Sequence, residues 1–577
     1  MHLPPWLCPL PHAWQQQRSW RVLDVSGNCQ TLWALLSLWQ QAQHLAPTAP
    51  PRQLHYVLVL SDAQPLLEQA PVTWHTQLVG LLPGVQRLVL EGGALQLTLW
   101  LGDTLTLLRQ QSMVADSIVL GADSQPWLAP LALKPLLRHC QRGTQWLAPP
   151  GALPAELLQR SGFRIAAPAT TDGADCGLHA VFDPPWTLRK APLPAATPGQ
   201  AVVLGAGLAG SAAAWSLAQR GWQVHVLGLD AVPADGASGL PAGLFCPHTS
   251  PDDCPLSRLS RAGLQALLPR LAQLPLQRGH DWDASGVLEH DCAQPSQLAW
   301  HDGPGLDWSR PASAAQCQQA GLPADAPALW HQRAGWLRPA ALVSAQLRHP
   351  NIHFHGHSAC SQMRHTGQHW QALDAAGQCL AEGDIAIVAA GSHSPQFLPA
   401  SWRLQYLRGQ VTWGPHTPEH AHALPPFPVN GSGNLVPQVP DAQGRFWVMG
   451  STFERDVTQL PISAADQAAA HAHNLDKLAQ LLPASAPVLA PAFTPGHAAC
   501  QPTWGRVRLA SHDRLPLVGP VPGGPDSLFA LTALGARGIT LSVLCGELLA
   551  ARLHAEPLPL DARLAQQLGT ERLGQKP

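Results

Sequence analysis

The chain has 577 residues, 46% hydrophobic and 12% charged, which excludes a disordered protein and supplies core for roughly two to four domains. Lys+Arg (35) and Asp+Glu (37) nearly cancel to a net charge of −2, which excludes a wholesale basic polyanion binder and leaves room only for a local basic groove. The 12 cysteines are scattered without a Cys-x-x-Cys pair, arguing against a zinc ribbon, a thioredoxin-type centre or a disulfide framework.

The first residues, Met-His-Leu-Pro-Pro-Trp, lack a charged n-region and an apolar h-region. No apolar run reaches the ~18 residues of a membrane span. A cytoplasmic protein without a membrane partner is the expectation. Short apolar runs then predict strands over 21–25, 55–60, 95–101, 117–120 and 179–182, and helical periodicity predicts helices over 32–43 and 154–161. This alternation points to an α/β layer fold. Residues 183–200 read DPPWTLRKAPLPAATPGQ, with prolines at 184, 185, 192, 194 and 198. Proline removes a backbone donor and fixes φ, so this stretch is a semi-rigid linker, placed at 184–199 between domains 1–183 and 200–577.

The second part opens on the clearest signal of the chain. Residues 201–204 form a short apolar strand that runs into Gly205-Ala206-Gly207-x-x-Gly210, followed by a helix over 211–220 and a strand over 223–227. In this strand–turn–helix–strand context Gly205 permits the tight turn, Gly207 lets backbone approach a pyrophosphate, and Gly210 lets helix and strand pack closely. The helix N-terminus supplies N–H donors to the phosphates. Gly228 stands where an acidic ribose ligand usually ends the second strand, and Asp230 follows two residues on. Two later segments return to the same sheet. One is the strand over 384–391, ending in Gly391. The other is the pair of 513–519 and the loop Gly535-Ala536-Arg537-Gly538 ahead of a helix over 539–553. Such a discontinuous pattern favours FAD over a nicotinamide cofactor. His353, His355 and His357 alternate and are read as one solvated strand face, with no metal site expected. Arg258, Arg261 and Arg270 share a helical stretch and read as a solvated face, with a phosphate contact as the alternative. The 22 tryptophans read mainly as packing residues, with one or two left for a nucleic-acid path.

The second part resembles the FAD-dependent D-amino-acid-oxidase superfamily, which includes glycine and sarcosine oxidases. Within it the resemblance is closest to the oxidase half of the bifunctional bacterial tRNA 5-methylaminomethyl-2-thiouridine biosynthesis proteins. The matching segments occur in family order across roughly 200–560: Gly236-Ala-Ser-Gly239, His280-Asp-Trp282 with Gly286-Val287, Gly335-Trp-Leu-Arg-Pro339, Arg408-Gly-Gln-Val411, Gly431-Ser-Gly-Asn-Leu-Val-Pro437, Gly450-Ser-Thr-Phe453, Val507-Arg508 with Asp513-Arg-Leu-Pro-Leu-Val-Gly519, and Leu534-Gly-Ala-Arg-Gly538. Where the family reads Asn-x-Gln-Gly after Gly239, this chain has Leu240-Pro241-Ala242-Gly243.

The resemblance implies a Rossmann-type FAD-binding part (about 200–250, 380–400 and 505–577) carrying an α+β substrate part (about 255–380 and 400–504). It implies that Ser238, Gly239 and Gly243 join the FAD-binding residues. Its implied activity is FAD-dependent oxidation of the 5-carboxymethylaminomethyl group of a tRNA wobble uridine to 5-aminomethyl, with release of glyoxylate. Arg508 occupies the place of the carboxylate-binding arginine, with Arg506 beside it, and Arg537 belongs to the flavin loop. An oxidase of free glycine, sarcosine or D-amino acids and a non-catalytic FAD-containing tRNA-binding protein remain as alternatives.

The first part resembles, in reduced form, the Rossmann-like S-adenosylmethionine-dependent methyltransferase half of the same family. The family's loop Glu-x-Gly-Phe-Gly-x-Gly after the first strand is here Ser26-Gly27-Asn28-Cys29-Gln30, with one glycine left. The acidic residue after the second strand maps near Leu60, with Asp62 close by, and the catalytic-loop Asp maps to Gly121, with Asp123 nearby. Side chains then occupy space that backbone must leave to the cofactor. S-adenosylmethionine is therefore not expected to bind, and a structural or tRNA-docking remnant is.

Overall fold

Strand Gln53–Leu60 (β2) alternates Tyr56 and Leu58 towards one apolar cluster with Val57 and Val59 towards another, so both faces of its sheet are covered. The computed structural model describes residues 5–7, 10, 19–45, 53–121, 130–165, 177–188, 195–290 and 297–573. Their contacts divide the chain into unit 1, residues 1–197 with 551–565, and unit 2, residues 198–550 with 566–577.

Unit 1 contains an eight-stranded sheet. Its strands are β1 (Ser19–Asp24), β2, β3 (Gly84–Leu90), β4 (Leu95–Leu101), β5 (Ala115–Val119), β6 (Cys140–Ala148), β7 (Phe163–Ile165) and β8 (Leu178–Phe182). The order is β3-β4-β2-β1-β5-β6-β8-β7. The central neighbours β4, β2, β1, β5 and β6 are parallel. The strand order reverses at β1/β5, the switch point where open α/β sheets bind ligands. The five strands expected from sequence are present within two residues of their bounds, and the expected helices are Gln30–Leu45 and Ala155–Arg160. The sequence reading left out β3, β6 and the three-residue β7. Gln86 and Arg87 interrupt the apolar run of β3, and Gln141, Arg142 and Gly143 that of β6.

The sequence reading runs the oxidoreductase part on to 577, whereas 551–565 packs into unit 1. Arg21 donates to the Ala555 carbonyl (3.0 Å), Arg87 to the Pro557 carbonyl (2.7 Å) and Gln111 to Asp561 (2.8 Å). Buried His55 faces buried Glu556 at 3.4 Å. Of the linker expected at 184–199, residues 189–194 lie outside the described residues, as does Asp123.

Unit 2 is built on a six-stranded sheet in the order Ile352–His355, β10 (Gln223–Leu227), β9 (Gln200–Leu204), Ile385–Val388, Leu528–Thr532 and Leu517–Pro520. All neighbours are parallel except the last pair. Its order reverses between β9 and Ile385–Val388. A nine-stranded mixed sheet carries Leu404–Pro415 hydrogen-bonded to Trp504–Ser511. Helix Ala464–Leu481 packs on that sheet through Leu478 and Leu481, against Leu435, Trp447 and Met449.

Three expectations change here. The first helix of unit 2 spans Leu208–Ala218 rather than 211–220, because small residues let it begin directly on the loop. The strand holding His353 and His355 ends at His355, so His357 lies beyond it at φ 53° and the three do not share a face. Arg261 and Arg270 are buried, paired with Asp253 (2.7 Å) and Glu547 (2.7 Å); only Arg258 is exposed. Among the described residues no helix is long and apolar enough to cross a membrane.

Candidate functional site

At the switch point of unit 2 the loop after β9 meets the loop after Ile385–Val388. Gly205 adopts φ 107°, and a Cβ there would collide with the Ala389 carbonyl oxygen. Gly207 caps the helix Leu208–Ala218, whose Leu208 N–H donates to Ser238 Oγ (2.9 Å). A Cβ on Gly207 would stand 2.8 Å from that oxygen, and one on Gly210 would collide with the Gly205 carbonyl. Backbone, rather than side chain, therefore faces the cleft at the helix N-terminus, as a pyrophosphate requires.

A cavity of about 770 Å³ opens over this point. Its wall includes Gly205, Ala206, Gly207, Asp230, Ser238, Gly391, Gly535, Ala536, Gly538 and Arg508. A dinucleotide cofactor fits a cleft of this size and lining, with Arg508 and exposed Asp230 both among the wall residues. Four expected site residues are not brought to the wall. Gly210 packs helix on strand. A Cβ on Gly239 would lie 2.6 Å from the Ala234 carbonyl, and one on Gly243 2.7 Å from Ile539 Cδ1, so both are packing positions. Arg537 sits between two wall residues, but its own charged neighbours are Arg514 and His248. Burial first, and Arg514 second, lower its pKa.

Arg508 is positioned by the strand pair. Register places Leu407 opposite Arg508 and Gly409 opposite Arg506. The Arg508 guanidinium lies across Gly409, where any Cβ would collide with Nη2. That is the physical reason for the glycine in Arg408-Gly-Gln-Val411. Its flanking residue Arg408 is buried and tied to Glu454 and to Asp466 (2.8 Å), which fixes the strand. Arg508 Nη2 donates to the Thr452 carbonyl (3.2 Å), while its buried Nε has no hydrogen-bond partner among the described residues. Burial pulls this guanidinium down to about 10, so it stays charged at neutral pH. Arg506 also lines the cavity, but its donors go to the carbonyls of Asp235 (2.9 Å) and Gly505 (3.0 Å).

Tyr406, Thr458 and Leu460 also line the cavity, and the sequence reading did not single them out. They come from a strand and a loop with no glycine or charge signature. Nor did it find Phe453 beside Arg508, although that residue ends the quoted Gly450-Ser-Thr-Phe453 segment. Leu240, where the family pattern has a polar residue, lines the cavity, and Ala242 is buried. Apart from the cleft, Cys246, Glu289 and His331 bring one ligand atom each within 4.8 Å of one another. Their positions in sequence follow no metal-ligand spacing. Burial and the Glu289 charge push the Cys246 thiol well above the usual range, and Ser309 already holds His331 Nδ1 (2.8 Å).

At the corresponding switch point of unit 1, the described residues just after β1 and β5 meet as well. Gly121, just after β5, abuts the loop after β1, and a Cβ on it would stand 2.8 Å from the Ser26 carbonyl oxygen. The Ser26 N–H donates to buried Asp24 (2.8 Å), and the Tyr56 hydroxyl donates to the other Asp24 oxygen. Burial raises the Asp24 carboxyl to about 6. Asp62 is exposed and accepts from the Gln64 N–H (2.9 Å), so it serves the start of the next helix.

The DAO family, FAD dependent oxidoreductase, matches residues 200–552. Relatives over nearly the whole chain carry the name "tRNA 5-methylaminomethyl-2-thiouridine biosynthesis bifunctional protein MnmC". The one from Delftia acidovorans (strain DSM 14801 / SPH-1) is 48% identical over 99% of this chain and 94% of its own. The one from Paracidovorax citrulli (strain AAC00-1) is 47% identical over 98% of this chain and 94% of its own. This chain belongs to the MnmC family. Its DAO part makes this MnmC family member an FAD-dependent oxidoreductase, in agreement with the glycine-rich cleft. Among solved structures, glycine oxidase from Geobacillus kaustophilus is similar at a TM-score of 0.48 and 18% identity, over 64% of this chain and 98% of that one.

Proposed function

We propose that unit 2 oxidatively removes the carboxymethyl group from 5-carboxymethylaminomethyl-(2-thio)uridine at the tRNA wobble position, giving 5-aminomethyl-(2-thio)uridine and glyoxylate. The observation that carries this reading is Arg508, a charged guanidinium in the wall of a dinucleotide cleft, with an unused Nε and with Gly409 leaving room for it to lie across the neighbouring strand. A guanidinium fork matches a carboxylate, and the substrate arm ends in one. Gly205, Ala206, Gly207, Ser238, Gly391, Gly535, Ala536 and Gly538 would hold FAD, with Asp230 at the ribose end. FAD, when bound, supplies the acceptor for the hydride lost from the methylene next to the carboxylate. Arg508 orients the arm by its carboxylate, so that this methylene is the carbon presented. The amine binds neutral, the substrate imine left by oxidation adds water, and the C–N bond then breaks to release glyoxylate.

In the same reading unit 1 does not methylate the product. The position of the family's catalytic Asp is Gly121, packed on the Ser26 carbonyl, and one glycine remains in the loop that a methionine cofactor needs open. Cytoplasmic localisation follows from a tRNA substrate.

Nucleoside mass spectrometry of tRNA from a deletion strain, with and without the restored gene, tests both statements. The expected result is carboxymethylaminomethyl-uridine in the deletion and aminomethyl-uridine on complementation where no other methyltransferase is present. Unchanged wobble nucleosides would overturn the tRNA assignment and direct attention to small amines. Methylaminomethyl-uridine in that background would overturn the silent unit 1.

A further inference from the structure

The side chains beside Arg508 carry the argument past the carboxylate. Among the described residues of unit 2, Phe453 is the exposed aromatic, with 54% of its surface open; Trp186, the other exposed aromatic, belongs to unit 1. Two cations converge on its ring. The Arg508 guanidinium carbon lies 4.6 Å from the ring centroid and the Lys477 ammonium 5.5 Å. Lys477, one of four lysines in the chain, reaches over from helix Ala464–Leu481 and donates to the Ser451 carbonyl (2.7 Å). Among the described residues neither cation has a carboxylate partner. Two neighbouring positive charges without counter-charges repel each other, and a ligand bringing more than one anionic group offsets that repulsion. A half-exposed aromatic ring with adjoining cations is the arrangement that single-stranded nucleic acid recognises, by base stacking and phosphate contact.

Resting on the proposed tRNA substrate, we infer that Phe453 is the platform on which the modified base stacks and that Lys477 contacts the phosphodiester backbone beside it. The carboxylate held by Arg508 is joined to the base through a methylene, an amine and a second methylene. A base at the end of that arm falls next to the ring that Arg508 covers. Phe453 thus sets specificity for a nucleotide over a free amino acid.

The test uses the FAD-loaded full chain and tRNA extracted from cells lacking this enzyme. Phe453→Leu keeps an apolar side chain and removes the π-face, whereas Phe453→Trp keeps the face. Flavin content reports folding of each variant. The expected result is a Kd for tRNA about tenfold or more weaker for Phe453→Leu, with Phe453→Trp within about threefold of the parent. Lys477→Gln should lower the slope of log Kd against log salt by about 0.7, one phosphate contact to a single strand. Equal Kd values for the Leu and parent proteins would overturn the platform, and an unchanged salt slope would overturn the backbone contact. A parent protein that neither binds nor oxidises this tRNA would instead overturn the proposed substrate, so the two failures are distinguishable.

Discussion

Both units place a strand-order reversal at the centre of a parallel sheet, and they use it differently. In unit 2, glycines at 205, 207 and 210 keep side chains out of the junction, so two loops touch through backbone and leave a cleft. In unit 1 the equivalent loop is Ser26-Gly27-Asn28-Cys29-Gln30, with one glycine, and Gly121 abuts the Ser26 carbonyl. The same topology therefore carries a glycine-lined cleft in one case and, in the other, a loop with a single glycine. The difference lies in a few side chains, not in the sheet.

The largest expected effect breaks the open junction. Gly205→Val puts a branched side chain against the Ala389 carbonyl, and the purified protein should carry no flavin absorbance. Arg508→Gln leaves the cleft intact, so flavin should be retained. Its kcat/KM on tRNA should fall by about 100- to 1,000-fold, because a charged partner of the carboxylate is lost. Gly409→Ala displaces the guanidinium without removing it, and kcat/KM should fall by about 10- to 100-fold, again with flavin bound.

Unit 1 gives the smaller effects. Asp24 has a folded pKa of about 6, above its unfolded value near 3.8, so the native state binds the extra proton and stability falls as pH rises from about 4 through about 6. Asp24→Asn should therefore stabilise unit 1 by about 1–3 kcal/mol at pH 8 and by almost nothing at pH 4. Hydrogen exchange of residues 53–60 in urea would read this. Titration calorimetry with S-adenosylmethionine should show no binding at ligand up to ~1 mM, and a clear isotherm would remove the contrast between the two junctions.

Much of this was legible in the sequence because a tight turn beside a phosphate demands glycine at fixed spacing, and Gly205, Gly207 and Gly210 carry that demand openly. Arg508 was legible only through family resemblance, since one arginine among 31 has no local signature. Lys477, Phe453 and Tyr406 were not legible. A helix and a loop bring Lys477 to Phe453, a strand brings Tyr406 to the cavity, and no periodicity encodes such meetings. Gly239 and Gly243 carry a second demand that the motif does not announce. They belong to a cofactor motif, and their missing side chains also make room for Ala234 and Ile539.

The segment 551–565 has a consequence for how the protein is made. The last strand of unit 1 ends at Phe182, but the residues that face Arg21, His55, Arg87 and Gln111 leave the ribosome roughly 370 residues later, some 20–70 s at ordinary elongation rates. During that interval the nascent sheet holds His55 without Glu556, and the whole of residues 200–550 emerges before the first unit is finished. One cut in the gene cannot separate the units cleanly, because a cut near residue 198 leaves the first product without 551–565, while the second carries that segment without the sheet it packs on.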